Sequence, residues 1–260
     1  MSQLFAFICL ILSTLALVII SLCSILFCLI RPFHRDNVHH TAKYLGKVAK
    51  ILGLDVEVRI PESVKNIGPV VYICNHQNSY DIFTVSNAVQ PGTVSVGKKS
   101  LKWIPFFGQM YWLTGNILID RKNKNKAMNT IDMTANKIRE KKLSVWLFPE
   151  GTRSYGRGLL PFKTGAFRTA AKAEVPIIPV CASNTHKTID LNRWDNGKMI
   201  VEFLPPVYLS SEDKEKIRTV TNKTRNDMLV KITQLNDETG HELPQVKDKN
   251  SQNKQKSETK

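Results

Sequence analysis

The sequence predicts an α/β domain in which a mostly parallel sheet of about seven strands is flanked by helices and preceded by an N-terminal membrane helix. Two observations support this fold class. Short apolar runs, most of them β-branched and bounded by Gly, Pro or Asn, alternate with helix-like segments. Residues 4–30 contain no charged side chain. The predicted regions are a membrane anchor (1–33), a basic amphipathic helix (34–54), a main α/β domain (55–210), a C-terminal helix (211–242) and a disordered tail (243–260).

The uncharged N-terminal segment is long enough to cross a bilayer, because a hydrocarbon core of about 30 Å needs only about 20 helical residues. It lacks the basic start of a signal peptide and exceeds the usual apolar length of about 7–15 residues, so we expect a retained anchor. Basic residues follow it closely and place the main domain on the cytoplasmic side: Arg31, Arg35, Lys43, Lys47 and Lys50. The alternative is a kinked or re-entrant hairpin that enters one leaflet. Both arrangements bind the protein to a membrane.

Residues 38–53 repeat apolar side chains at the helical period, with lysines between them. Such a basic amphipathic helix either lies on an anionic membrane surface or packs as an ordinary helix with a solvated lysine face. After Glu242 the chain consists mostly of lysine, asparagine and glutamine, and we expect this tail to be disordered because it has little apolar surface to bury.

The strand candidates are 56–60, 69–74, 93–97, 116–119, 143–148, 175–180 and 199–204. The clearest helix between them is 124–141, where apolar residues form one stripe among charged and amide side chains. In open sheets of this kind, ligands bind beyond the carboxyl ends of the strands. Polar residues that directly follow the strands are therefore the candidates for chemistry.

Composition restricts the partners and the cofactors. The 37 Lys and Arg against 22 Asp and Glu give a formal charge of +15, which indicates anionic partners: phospholipid, a phosphorylated metabolite, an acidic carrier protein or nucleic acid. The five cysteines show no CxxC spacing, so neither a disulfide framework nor a zinc site is predicted.

The first polar strand end reads NHQNSYD and contains His76 and Asp81. On a continuous helix these residues would lie about 140° apart, so they meet only if a turn separates them, as the Asn and Ser content favours. A carboxylate that accepts a hydrogen bond from one ring nitrogen leaves the other nitrogen able to take a proton, which makes a general base. In the alternative reading, Asp81 only complements a helix dipole and Ser79 caps that helix. The chain has no GxSxG motif for a serine nucleophile.

Two further strand ends contain arginine. GNILIDR places Asp120 and Arg121 after an apolar strand, and FPEGTRS forms a polar turn over 149–154. Glycine allows backbone N–H groups to approach an anion, and arginine offers a bidentate fork for phosphate. Each arginine alone is more often a surface or ion-pair residue. Together with the His–Asp pair, they indicate a phosphorylated substrate.

Four blocks together resemble the glycerolipid acyltransferase family, in the order and at the spacing of that family: NHQNSYD, GNILIDR, FPEGTRS and VPIIPV. The resemblance extends from about residue 70 to residue 206. It implies that region 55–210 is an acyltransferase domain that moves a fatty acyl group from acyl-CoA or acyl carrier protein to the sn-2 hydroxyl of 1-acyl-glycerol-3-phosphate, giving phosphatidic acid. It also implies membrane phospholipid as a partner, no nucleic acid, no bound cofactor and no metal. The implied location is the bacterial inner membrane.

The resemblance implies a role for each site residue. His76 would deprotonate the acceptor hydroxyl, and Asp81 would orient its ring and stabilise the imidazolium. The IPFFG and VPIIPV blocks would line the acyl groove or pack beneath the site. The residues implied to hold the glycerol phosphate, or to support the turn that does, are Arg121, Glu150, Gly151, Thr152, Arg153 and Lys98; Lys98 is otherwise a solvated lysine.

Two other functional classes fit parts of the sequence. A basic membrane-tethered binding protein would explain the charge but gives no reason for a His–Asp turn at a strand end. A metal-dependent phosphatase would use His76, Asp81, Asp120 and Glu150 as ligands, yet the HExxH motif and closely paired carboxylates of such enzymes are missing.

Overall fold

The sheet contains seven strands. In the computed structural model, residues 2–119, 124–209 and 214–241 are described, and each predicted strand run overlaps one strand, with ends that differ by up to two residues. The strands are β1 (Asp55–Arg59), β2 (Val71–Cys74), β3 (Thr93–Lys98), β4 (Ile117–Ile119), β5 (Ser144–Leu147), β6 (Ile177–Ala182) and β7 (Lys198–Phe203). The predicted number of strands is therefore confirmed.

The strand order is β1-β7-β6-β2-β5-β3-β4. The β6–β7 pair is antiparallel, whereas every other neighbouring pair in this order is parallel. The predicted fold class, a mostly parallel sheet flanked by helices, is confirmed. Because β2, β3, β5 and β6 run in the same direction, their carboxyl ends meet at one edge of the sheet.

Seven α-helices are present among the described residues. They are α1 (Ser2–Ile30), α2 (Asn37–Lys47), α3 (Asp81–Thr84), α4 (Phe107–Leu113), α5 (Lys124–Lys141), α6 (Gly165–Ala173) and α7 (Lys214–Thr239). Helix α5 has the bounds that its apolar stripe predicts. Asp120 and Arg121, which follow β4, lie outside the described residues, and so does the predicted disordered tail.

Both faces of the sheet are covered, as the period-two pattern of β2 illustrates. Val71 and Ile73 point into a core formed with α5, α6 and α7, and both are fully buried. Tyr72 and Cys74 point to the opposite face, where they pack with Ala88 and residues of β6 and β7. A strand buried on both faces requires the continuous apolar run that the sequence shows.

Helix α2 packs with its apolar side against the rest of the chain. Leu45 and Val48 join a cluster with Phe83 of α3, and Leu17 of α1 packs against that cluster. Lys43 and the other lysines of this segment remain exposed. The inner face of α2 therefore behaves as an ordinary packed helix, and only its basic face is left for a membrane surface.

Helix α1 is one continuous helix that lies along the domain, with no hairpin or break. The ring of Phe5, near its start, is 4.7 Å from the Trp194 ring, and near its end the Phe27 ring is 6.1 Å from the His40 ring. The other side of α1 exposes large apolar side chains, including Leu4, Phe7, Leu10, Leu15, Ile19, Leu26, Leu29 and Ile30. It is the one described helix that is long and apolar enough to cross a membrane. An exposed apolar face of this extent indicates membrane association.

We expect the protein to fractionate with membranes and to stay there in high salt. Salt screens surface charges but does not weaken the insertion of apolar side chains. The measurement is the distribution of the protein between pellet and supernatant after washes in high salt, alkaline carbonate and detergent. Only detergent should release it, and release of most of the protein by salt would contradict the apolar anchor.

Candidate active site

The turn after β2 brings His76 and Asp81 into contact. His76 Nδ1 lies 2.6 Å from Asp81 Oδ2. The same oxygen accepts hydrogen bonds from the backbone N–H groups of Gln77 at 2.7 Å and Asn78 at 3.3 Å. Asp81 is the first residue of α3 and is 5% exposed. Three donors therefore hold one oxygen of a buried carboxylate. The N-cap position of α3 is Tyr80 and not Ser79, and the Tyr80 side chain makes no capping hydrogen bond.

Two amides anchor this turn to the neighbouring strand β6. The Asn75 side chain donates to the carbonyl of Ala182 at 2.9 Å and accepts from its N–H at 2.8 Å. The Gln77 side chain donates to the Ser183 carbonyl at 2.7 Å and accepts from the Thr185 N–H at 2.7 Å. All of these residues are buried. The backbone on both sides of His76 is therefore tied to the rigid sheet, which restricts where the imidazole can lie.

Glu150 is the second carboxylate next to His76. Its Oε1 accepts the backbone N–H of His76 at 2.6 Å, and its Oε2 accepts the backbone N–H of Leu160 at 3.0 Å. Glu150 is 4% exposed. Burial raises its pKa to about 7, and the nearby Asp81 charge adds to the rise, while the two backbone hydrogen bonds oppose it. Both oxygens accept backbone N–H groups, so the carboxylate ties two loops together.

The FPEGTRS turn lies directly beside the His76 turn. Backbone N–H groups of Ser154 and Tyr155 donate to the carbonyls of His76 at 2.8 Å and Gln77 at 2.9 Å. Gly151 has a φ of +71°, a left-handed conformation that favours glycine. Thr152 is exposed.

A large cavity opens at this edge of the sheet. Its volume is about 800 Å³, within the usual range for a ligand site. His76, Asp81, Gly151, Thr152 and Arg153 line one part of it, and Lys98, which is exposed at the end of β3, lines it as well. Much of the remaining wall is apolar and comes from α1, α2, β3, α4 and the segment between β3 and α4; it includes Leu17, Leu45, Val96, Leu101, Ile104, Phe107 and Met110.

The two apolar blocks have different positions. Ile104 and Phe107 of the IPFFG block line the cavity. Ile177, Ile178 and Val180 of the VPIIPV block are fully buried within β6 and pack in the core. The aliphatic run of β6 therefore supports the site from beneath, whereas the aromatic block contributes to its wall.

Sequence reasoning assigned no role to several residues that shape the site. Phe148 stacks on the His76 ring, with centroids 4.0 Å apart and planes 16° apart. Arg225 of α7 donates to the carbonyls of Leu159 and Leu160, and so holds the segment whose N–H binds Glu150. Phe148 could have been noticed because it is the first residue of the FPEGTRS block. Nothing local marks Arg225, since its partners are 65 and 66 residues away.

The arrangement defines a class of protein. A His–Asp pair at the carboxyl edge of an α/β sheet, beside a large and mainly apolar cavity, is typical of an enzyme whose substrate has an apolar part. A family model described as Acyltransferase matches residues 55–183. Among the residues that the structure describes, no three His, Cys, Asp or Glu side chains form a metal-binding group.

The chain belongs to the acyltransferase family and is an acyltransferase enzyme, as its similarity to known members shows. It is 53% identical over 213 residues to the 1-acyl-sn-glycerol-3-phosphate acyltransferase of Salmonella typhimurium, covering 82% of this chain and 87% of that relative. It is 50% identical over 234 residues to the enzyme of the same name from Haemophilus influenzae, covering 87% and 98%. The crystal structure of the 1-acyl-sn-glycerophosphate acyltransferase from Thermotoga maritima has the same fold, with a TM-score of 0.67, 21% identity and coverage of 89% and 97%.

Glu150 gives a testable pH dependence of stability. Because its pKa is raised to about 7 on folding, the folded state binds this proton more tightly than the unfolded state, and the free energy of unfolding falls as pH rises from about 4.5 to about 7. The substitution Glu150→Gln removes this titratable carboxyl group. The difference in unfolding free energy, wild type minus variant, should fall by about 3 kcal/mol across this window.

Denaturant titration in detergent micelles at a series of pH values measures this difference. Glu62→Gln is the matched control, because the Glu62 side chain is 86% exposed. That control should follow the wild-type pH profile. A Glu150→Gln profile parallel to that of the wild type would show that Glu150 titrates normally in the folded protein.

Proposed function

We propose that this enzyme transfers a fatty acyl group from acyl-CoA or acyl carrier protein to the sn-2 hydroxyl of 1-acyl-glycerol-3-phosphate and so forms phosphatidic acid. The observation that supports this most directly is the position of His76, which is bound to Asp81 and lines a mainly apolar cavity that also contains Lys98 and Arg153. The names of the relatives indicate the same acceptor. In this proposal the cavity binds an acyl chain, and the basic side chains attract the phosphate of the acceptor.

In the proposed reaction, His76 acts as the general base. Its Nδ1–H donates to Asp81, so Nε2 takes the proton of the acceptor hydroxyl while the hydroxyl oxygen attacks the thioester carbonyl. The tetrahedral intermediate then collapses, the carbon–sulfur bond breaks, and the thiolate leaves with the proton that His76 holds. The products are an ester and a free thiol. The negative charge of Asp81 stabilises the imidazolium between these steps.

The roles of the other site residues follow from their contacts. We assign Glu150 to positioning, in place of the substrate contact implied by the resemblance, because both its oxygens bind backbone N–H groups. Gly151 allows the turn to run close to the cavity. Arg121 is proposed to bind the phosphate of the acceptor; it lies outside the described residues, two positions after Ile119, where β4 ends. Thr152 and Arg153 are proposed to assist at the rim, where both line the cavity.

Helix α1 is proposed to lie within one leaflet of the membrane. A helix of 29 residues is about 43 Å long, which would suffice to span a bilayer. However, Phe5 and Leu17 contact the catalytic domain, so a spanning helix would draw polar parts of that domain into the hydrocarbon. Lying in the interface avoids this cost. We propose the cytoplasmic leaflet of the bacterial inner membrane, where both thioester donors are available to the enzyme.

One assay tests acceptor and donor together. The purified protein is given labelled 1-acyl-glycerol-3-phosphate with acyl-CoA or with acyl carrier protein, and the labelled product is separated by chromatography. Phosphatidic acid should form without an added cofactor. Monoacylglycerol, which lacks the phosphate, is the matched control acceptor and should react far more slowly. Equal rates with both acceptors would contradict recognition of the phosphate.

His76→Ala should lower kcat by about 10²–10⁴-fold, which is the usual contribution of a positioned general base. Asp81→Asn should also lower kcat, with little change in the KM of either substrate, because it alters the hydrogen bond that sets the tautomer of the ring. The double variant should lose little more than His76→Ala alone, since the pair acts as a unit. Steady-state kinetics measure these effects.

Circular dichroism must show that each of these variants is folded. His34→Ala is the control, since the His34 side chain is 42% exposed and lies away from the cavity lining. It should keep wild-type kinetics. A folded His76→Ala protein with a tenth or more of the wild-type kcat would exclude His76 as the base.

A further inference from the structure

Residues 99–106, here called the β3–α4 loop, expose large apolar side chains to solvent. Trp103 is 75% exposed, Ile104 is 44% exposed and Phe106 is 45% exposed. The loop directly follows β3, whose carboxyl end lies at the same edge of the sheet as His76. Exposed aromatic and aliphatic side chains that adjoin one another mark an interaction surface more often than isolated ones do.

The loop also forms part of the cavity wall. Leu101 and Ile104 line the cavity, as does Phe107, the first residue of α4. Trp103 and Phe106, between these positions, do not contribute to that lining and are exposed instead. The β3–α4 loop is therefore a thin wall, with the cavity on one side and exposed rings on the other.

The backbone at Phe106 is strained, although its ring is about half exposed. Its φ of 61° and ψ of −52° are unfavourable for a bulky side chain. The Phe107 N–H donates to the Pro105 carbonyl at 2.6 Å across this residue, so a tight turn holds the backbone in this conformation. The Phe106 ring is 45% exposed and is therefore available to a partner surface.

The surface of the loop is continuous with the membrane-facing side of α1. Beyond the end of α1, the Phe33 N–H donates to the Leu113 carbonyl at 3.0 Å, at the end of α4. The Phe33 and Trp112 rings are in edge contact, with centroids 5.0 Å apart, and both side chains are about half exposed. The exposed side of α1 ends beside them at Ile30, which is 86% exposed. The exposed side of α1 therefore adjoins α4, the helix that directly follows the loop.

Charge indicates that this element is a lipid leaflet with anionic headgroups. Lys98 and Lys99 are exposed at the start of the loop, and Lys102 Nζ lies 4.3 Å from the centre of the Trp103 ring. Tryptophan beside lysine is the usual composition of a protein surface at the headgroup level, where the ring meets the acyl chains and the ammonium meets phosphate.

We propose that the β3–α4 loop inserts its aromatic side chains into the same leaflet as α1, and that the lysophospholipid acceptor passes from the leaflet into the cavity beside this loop. The proposal rests on the proposed function for the identity of the acceptor. It adds a path: the acceptor moves laterally from the bilayer, with its acyl chain shielded from water throughout. The loop then determines how readily membrane-embedded acceptor is captured, and not the rate of the chemical step.

The first test measures the membrane depth of Trp103 by quenching of its fluorescence with brominated lipids. Trp112→Phe, Trp146→Phe and Trp194→Phe leave Trp103 as the single remaining tryptophan of four. The matched control protein also carries Trp103→Phe, together with Tyr208→Trp. Tyr208 is 70% exposed and follows Val207, which pairs with Ile177 at the start of β6, at the opposite edge of the sheet.

Vesicles of phosphatidylglycerol and phosphatidylethanolamine with brominated acyl chains should quench Trp103 several-fold more than the tryptophan at position 208. Acyl transfer to a short-chain, water-soluble acceptor verifies that both proteins are folded. Equal and weak quenching at the two positions would overturn the insertion of the loop. Protection of Trp103 by dimer formation, seen as a concentration-dependent change without quenching, would overturn it too.

The second test separates capture of the acceptor from chemistry. The double variant Trp103→Ser/Phe106→Ser should raise the apparent KM for acceptor embedded in vesicles by about tenfold, with kcat changed by less than about twofold. Its kcat/KM for the short-chain soluble acceptor should stay near that of wild type. Tyr208→Ser is the control and should change neither quantity.

The outcomes distinguish the two proposals. If wild type acylates neither acceptor, the proposed function is wrong. If wild type acylates both, and the double variant retains the wild-type KM for vesicle-embedded acceptor, the function stands and the route through the β3–α4 loop is wrong. An equal loss with the embedded and the soluble acceptor would also overturn this route, because it would place the defect in the chemistry or the fold.

Discussion

The buried carboxylate of Glu150 is the constraint on which the site depends. It joins the loop after β2 to the loop after β5 by accepting the N–H groups of His76 and Leu160. Burying a carboxylate is unfavourable, and this burial raises the pKa of Glu150 to about 7. Arg225 of α7 holds the Leu159–Leu160 backbone from the other side. Three segments that are distant in sequence thus determine where the backbone of His76 lies, and Asp81 then sets the orientation of the ring.

The same elements serve the chemistry and the attachment to lipid. Leu17 of α1 lines the cavity, while the opposite side of that helix is exposed and apolar. Helix α2 packs between α1 and α3, the helix that begins with Asp81. Because α1 packs on the α/β domain at several points along its length, a membrane that holds α1 would also fix the orientation of the cavity. An enzyme whose acceptor is a lipid benefits from this geometry, since the substrate need not leave the bilayer.

Patterns within short segments predicted much of the fold. The seven strands were predictable because fully buried strands need uninterrupted β-branched runs, and α5 because its apolar stripe repeats at the helical period. The contact between His76 and Asp81 was also predictable, since the polar segment between them favours a turn. The role of Glu150 was not predictable. A glutamate in a Gly-containing turn has the same local signature whether it contacts a substrate or accepts two backbone N–H groups.

The sequence by itself determined the α/β class, the apolar anchor and the polar strand ends, because each depends on residue types within a few positions of one another. The tertiary structure alone decided that α1 lies along the domain, that Glu150 is buried, and that Trp103 and Phe106 stay exposed. These properties depend on contacts between residues far apart in the chain, such as the Arg225 bonds to carbonyls 65 and 66 residues away. Burial is a property of the packed neighbours and not of the residue, so no local pattern encodes it.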